Sequence, residues 1–116
     1  HSLTDALLGA IGKGDIGEHF PDNTNKWKNT DSSVFLNHTM DILNNNNVNI
    51  INIDITIICE KPNINEYKDT MKKQISSLTK LDQNNINIKA TTTESLGFLG
   101  REEGIACQTI VLVNKN

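Results

Sequence analysis

At 116 residues the chain is long enough for one domain with a modest core. Its formal net charge is −3, it carries no basic block, and no apolar run reaches membrane-spanning length, which sets aside nucleic acid and membrane as partners. Two cysteines, Cys59 and Cys107, do not make a disulfide framework, so both are expected to be reduced and packed.

The opening residues HSLTDALLGAI read as a helix already under way. Leu3, Leu7, Leu8, Ala10 and Ile11 give an apolar stripe, and no capping residue precedes it. The single domain over 1–116 is therefore expected to be N-terminally incomplete. Asp5, one turn after His1, is either a brace for that imidazole or an exposed helix residue. GKGDIGEHFPD (12–22) reads as a surface loop of the kind that often carries function. Within it His19 is expected to be solvated. Trp27 is expected to cover part of the core.

Asp31 is a cap for a helix over DSSVFLNHTMDILNNN, with Val34, Phe35, Thr39, Ile42 and Leu43 on its stripe and His38 on the polar flank. From Val48 to Cys59 the chain alternates as a strand. Ile51, Ile53, Ile55 and Ile57 share one face; Asn52, Asp54 and Thr56 share the other. Cys59-Glu60-Lys61-Pro62 ends that strand. Asn65 is placed to cap a further helix whose core stripe is Ile64, Tyr67, Met71, Ile75 and Leu78. Asp82 to Asn85 turns into a strand in which Ile86, Ile88 and Ala90 alternate with polar residues. The last strand, from Ile105 to Val113, is apolar on both sides and requires cover on both.

Between those strands lies KATTTESLGFLGREEGIAC (89–107), the stretch richest in chemistry. Thr91, Thr92 and Thr93 offer hydroxyls, and a helix starting near Thr93 would aim its N–H groups at an anion. Glu94 suits a phosphate site only through a divalent cation, Mg²⁺ or Mn²⁺, shared by carboxylate and phosphate oxygens. Arg101 then meets another phosphate oxygen. The same residues equally describe a plain helix cap, with Gly97 and Gly100 stopping the helix.

The segment ATTTESLGFLGREEGIAC resembles the C-terminal signature of the 2-C-methyl-D-erythritol 2,4-cyclodiphosphate synthase family. HSLTDALLGAIGKGDIGEHFPD and DITIICEKP resemble it too, in the family's order. The resemblance implies a lyase that closes a cyclic diphosphate. The 2-phosphate of 4-diphosphocytidyl-2-C-methyl-D-erythritol 2-phosphate attacks the sugar-proximal phosphorus, and CMP leaves. It implies Zn²⁺ held in part by His1, the family's third zinc ligand. The other two ligands, an upstream Asp-x-His pair, are not in this sequence, so the isolated chain is expected to bind zinc poorly.

By the same resemblance, Asp15, Ile16 and Gly17 meet the ribose. Phe20, Pro21, Asp22, Asn23 and Thr24 meet the methylerythritol end, with Asn23 a departure from the pattern. Carboxylates suit a diol, and glycine permits backbone approach. Cys59, Glu60, Lys61, Pro62, Asn63, Ile64 and Asn65 form the cytosine pocket, reading the base mainly through backbone groups. Thr92 stabilises transition-state charge with Thr91 and Thr93 beside it. Glu94 holds Mg²⁺ or Mn²⁺, and Phe98 and Arg101 complete the wall.

The implied fold is α/β: a mixed sheet with helices packed on one face, the other face used for trimer packing. The implied sites lie between subunits of a homotrimer. The implied compartment is a plastid-type organelle, apicoplast or chloroplast, or the cytoplasm of a bacterium. Two other classes fit the residues: a non-catalytic phosphate- or nucleotide-binding module, and a structural trimer with no phosphate affinity.

Overall fold

The isoleucine-rich run after Asn47 forms the middle of the sheet, because β-branched side chains at alternate positions favour extended backbone packed on a half-buried surface. The computed structural model describes residues 1–116. In chain order the elements are α1 (Ser2–Ala10), α2 (Ile16–His19), α3 (Ser32–Asn45), β1 (Val48–Ile58), α4 (Lys68–Thr79), β2 (Ile86–Thr91), α5 (Gly97–Gly100) and β3 (Ala106–Lys115). Short 3₁₀ turns occupy Asn25–Trp27, Ile64–Glu66 and Gln83–Asn85.

The strand order is β2-β1-β3. β1 and β2 run parallel from Ile53↔Ile86 to Ile58↔Thr91, and α4 supplies the crossover that parallel pairing requires. β1 and β3 run antiparallel from Val48↔Lys115 to Ile58↔Ala106. The register slips between Ile50 and Asn52. That bulge corrects the expected alternation. Val48 and Ile50 face the core before it, Ile53, Ile55 and Ile57 after it, and Ile51 is the extra residue, 44% exposed.

Helices cover one face. Leu3 and Leu7 of α1 and Leu36 and Leu43 of α3 meet Ile53, Ile55, Ile57, Ile86 and Ile88 in one cluster. Leu7 and Leu43 have no exposed surface. Met71, Ile75 and Leu78 of α4 pack against the same cluster. Two expectations are corrected here. On α3, Val34 is exposed and Leu36 takes its place in the core. Before α4, the capping side chain is Asn63, whose Oδ1 accepts from the Asn65 amide at 3.1 Å, while Asn65 itself caps nothing. Asp31 does cap α3, accepting from the Ser33 amide at 2.9 Å, and that bond holds its carboxyl below the ordinary carboxylate range.

The opposite face of the sheet carries no helix. On β3, Ile110 and Leu112 stand 66% and 58% exposed. Beside them Asp54 of β1 accepts from Lys89 Nζ at 2.8 Å and Asn87 Nδ2 at 3.1 Å, both on β2. The Lys89 bond, then the Asn87 bond, hold the Asp54 carboxyl below its usual range. A carboxyl with a depressed folded pKa stabilises the fold above its unfolded value, about 3.9, and loses that contribution as pH falls through the folded value. Both side chains are partly solvated, so Asp54→Asn is expected to cost no more than about 1 kcal/mol at neutral pH. The difference should narrow as pH falls below the unfolded value and close once it lies below the folded one, as urea midpoints at neutral and acid pH will record.

Candidate active site

Two clefts and one strained loop collect most of the sequence-predicted site residues. The first cleft forms where the loop after α1 folds back on the helix. Asp5 Oδ1 accepts from the Ile16 amide at 2.7 Å. This corrects one of the readings of Asp5: its carboxylate fastens the loop and does not brace the His1 ring. Asp15 Oδ1 accepts from the Glu18 amide at 2.9 Å, so part of the expected loop is the short helix α2. His19 is half-buried rather than solvated, with Nε2 2.6 Å from the Lys13 carbonyl oxygen.

An aromatic cluster floors this cleft. Phe20, 6% exposed, lies 4.5 Å from Phe35, 4.9 Å from Trp27 and 5.2 Å from His38 between ring centroids. The edge-on contacts to Trp27 and His38 suit the ring quadrupoles. His1 is tilted over Phe35 at 5.6 Å, with Nε2 3.4 Å from Ser32 Oγ. The resulting cavity of about 590 Å³ brings His1 together with Ile16, Gly17, Phe20, Pro21, Asp22, Asn23 and Thr24. Asp15, bound into its cap, is not among the lining residues.

The second cleft lies at the ends of the parallel strands. The Cys59 amide donates to the Thr91 carbonyl at 3.1 Å, which extends the β1–β2 ladder past Ile58. A cleft of about 360 Å³ follows, lined by Cys59, Glu60, Pro62, Asn63, Ile64 and Asn65 on one side and Ala90, Thr91 and Thr92 on the other. Lys61 does not line it; its ammonium lies 3.7 Å from Glu102 across exposed surface.

The threonine loop differs from the sequence expectation. No helix starts near Thr93; the four-residue α5 begins at Gly97. Glu94, Ser95 and Gly97 instead hold φ of 55°, 64° and 69°. For the two non-glycine residues such backbone costs of order 1–3 kcal/mol each and persists only where surroundings fix it. Glu60 fixes it here. Its Oε1 accepts from the Thr93 amide at 3.2 Å and the Ser95 amide at 3.1 Å, with the Thr93 hydroxyl oxygen 3.3 Å away. Sequence reasoning gave Glu60 to the second cleft and missed this contact. The loop signal could be found only by adding the parallel β1–β2 pairing, which sets residue 60 beside residue 93.

The three hydroxyls are not equivalent. Thr93 donates its one hydroxyl proton to the Leu96 carbonyl at 2.7 Å, and Thr91 donates to the Thr92 carbonyl at 3.2 Å. Thr92 Oγ1 accepts from the Glu94 amide at 3.2 Å, which leaves its own proton uncommitted. The Glu94 carboxylate is exposed and makes no ion pair. Phe98 is 59% exposed, and Arg101 Nε donates to Glu103 Oε2 at 2.8 Å. Arg101 therefore retains its terminal nitrogens for another acceptor.

No group of three His, Cys, Asp or Glu side chains converges in the chain. His1 offers one imidazole nitrogen at a cavity wall, and Glu94 one free carboxylate on the loop. Each suits a single position in a coordination sphere, nitrogen for Zn²⁺ and oxygen for Mg²⁺ or Mn²⁺.

A mixed three-stranded sheet, helices on one face, and a Thr-Thr-Thr-Glu loop at the ends of two parallel strands define the architecture of a recognised enzyme family. The chain belongs to the YgbB family, whose model matches residues 1–114. It is 46% identical over 115 residues to the 2-C-methyl-D-erythritol 2,4-cyclodiphosphate synthase of Shouchella clausii, covering 99% of this chain and 72% of that protein. It is 50% identical over 110 residues to the bifunctional enzyme IspD/IspF of Aliarcobacter butzleri, covering 95% of this chain but 29% of that protein's length. Among solved structures, the bifunctional IspDF from Campylobacter jejuni superposes with a TM-score of 0.96 at 44% identity, covering all of this chain and 31% of that one. A CDP complex of IspF from Plasmodium falciparum gives 0.88 at 33% identity, covering 99% and 69%.

Proposed function

We propose that this chain forms the site-bearing part of a 2-C-methyl-D-erythritol 2,4-cyclodiphosphate synthase, a lyase. One observation carries the reading: Thr92 with its free proton and Glu94 with its free carboxylate stand on one pinned loop beside a strand-end cleft. The CDP complex of the Plasmodium relative supports a cytidine diphosphate as the ligand class.

The reaction forms one bond and breaks one. An oxygen of the substrate's 2-phosphate attacks the phosphorus nearer the sugar, the phosphorus–oxygen bond to CMP breaks, and CMP departs as an anion. The nucleophile is already anionic, so no general base is required. What the chain must supply is positioning and relief of charge repulsion. The main chain of Cys59 to Asn65 receives the cytosine. Asp15, Ile16 and Gly17 receive the ribose, and Phe20 to Thr24 the methylerythritol end. The Thr92 hydroxyl donates to a phosphate oxygen as charge develops there, with Thr91 and Thr93 shaping the loop and Phe98 and Arg101 closing the wall. His1 would hold Zn²⁺ and Glu94 Mg²⁺ or Mn²⁺, with the remaining donors from outside this chain; these ions would neutralise and orient the phosphates.

The working assembly in this proposal is a homotrimer with sites between subunits. The exposed Ile110 and Leu112 on the helix-free sheet face support it. The compartment follows the host: a plastid-type organelle in a eukaryote, the cytoplasm in a bacterium. Bacterial relatives at 46–53% identity support the second. No helix here is long and apolar enough to cross a membrane.

The test is CMP release from the cytidine diphosphate substrate by the full natural chain, with divalent ions and with a chelator. Metal-dependent release is expected. Binding of the substrate without release would replace the lyase with a phosphate-binding module.

A further inference from the structure

We infer that Glu60 is a positioning residue: its side chain holds the Thr92–Glu94 loop in register beside the cleft that Glu60 also lines. The inference rests on the lyase reading above and deepens it.

The contacts are specific to one atom. Oε1 gathers the Thr93 amide and the Ser95 amide, at 3.2 and 3.1 Å, with the Thr93 hydroxyl oxygen 3.3 Å away. The two amides belong to the residues on either side of Glu94, so the backbone before and after that carboxylate is tied to one anchor. Neither amide has a helix or strand partner, because α5 begins only at Gly97 and β2 ends at Thr91. The positive φ at Glu94 and Ser95 is a conformation that L residues seldom hold without such an anchor.

The loop it holds also sorts the hydroxyls. The Thr93 proton goes to the Leu96 carbonyl at 2.7 Å, and Thr92 is left as the donor with a free proton. A carboxylate oxygen accepting two amide hydrogen bonds is a charge-assisted clamp, stronger than a neutral acceptor. Its charge is wrong for a direct phosphate ligand, so Glu60 acts through the loop. It lies two residues past the end of β1 and also lines the 360 Å³ cleft. The nucleotide end of the substrate and the reacting end are thereby referred to one residue.

Glu60→Ala and Glu60→Gln in the full natural chain test this, with two readouts. In CMP release, Glu60→Ala is expected to lower kcat by about 10²-fold, the scale of a small misplacement at a reacting centre, with KM little changed. Glu60→Gln, which keeps an acceptor oxygen at the same reach, is expected to restore most of it. Hydrogen exchange at the Thr93 and Ser95 amides, measured without substrate, should lose protection in Glu60→Ala and retain it in Glu60→Gln.

A Glu60→Ala protein with wild-type kcat and wild-type protection at both amides overturns the proposal. So does a raised KM with unchanged kcat, which would make Glu60 a nucleotide ligand instead. If the parent chain releases no CMP, the lyase reading fails separately, and amide protection alone decides whether Glu60 holds the loop.

Discussion

Replacing Glu94 by Gln is expected to lower kcat for CMP release by about 10³-fold, the scale of losing several kcal/mol of charge stabilisation, while the melting temperature stays unchanged. The separation of the two effects follows from the structure. Glu94 is exposed and pairs with no cation, so the fold loses nothing when its charge is removed. Its backbone amide still donates to Thr92 Oγ1, so the loop stays in place. Only the anionic oxygen is lost, and an amide oxygen is a poor substitute for it toward a divalent ion. Steady-state kinetics across a Mg²⁺ or Mn²⁺ titration, beside a thermal melt, will check this. Unchanged turnover would remove Glu94 from the proposed site.

The second large effect is expected at Gly100. A Cβ there would collide with the Ser95 carbonyl carbon and stand 2.7 Å from its Cα and oxygen, all backbone atoms that cannot rotate away. Gly100→Ala must therefore push the Ser95 peptide off α5. Ser95 is one of the residues tied to Glu60, so the displacement reaches Glu94 directly. We expect kcat to fall by about 10²-fold. Overpacking of this kind costs about 1–3 kcal/mol, so the melting temperature should fall as well. The glycine is required because the loop backbone lies where its side chain would be, whatever its part in ending the helix. A Gly100→Ala enzyme with full activity would show that the Ser95 position does not matter.

The sequence made the periodic parts of this fold legible. Alternating isoleucines marked β1 and β2, and the stripe of α1 named Leu3, Leu7 and Leu8, all buried. It failed where a tertiary contact overrode periodicity. The bulge at Ile51 reversed the parity of β1, and no local signal announces an unpaired residue in an apolar run. A helix was expected at Thr93 because Thr followed by Glu is a capping pattern. The structure places the positive-φ residues Glu94 and Ser95 there instead, and Glu60, 33 residues before Thr93, accepts from the Thr93 and Ser95 amides. Asp5 was read as a brace for His1 or an exposed helix residue; it is an exposed helix residue whose carboxylate accepts from the Ile16 amide. Of the site residues, Ile16, Gly17 and Phe20 to Thr24 meet at one cleft and Cys59, Glu60 and Asn63 to Asn65 at the other, while Asp15 and Lys61 line neither. The link between the cleft at Cys59 and the threonine loop depends on strand register, which sequence alone did not supply.

One contact sets the order in which the molecule can be made. Ser2 Oγ lies 2.8 Å from Thr109 Oγ1, a separation of 107 residues, and α1 packs on β3. A nascent chain emerging from the ribosome can form α3, β1, α4 and β2 early, since those neighbours are close in sequence. It cannot seat α1 fully until β3 has cleared the exit tunnel. Until then Leu3 and Leu7 lack part of their cover, and β1 shows a bare edge to any other strand. High contact order slows folding and prolongs such exposure. A chain stalled before Ala106 would leave α1 without its β3 partner and be a substrate for chaperones rather than a slower enzyme.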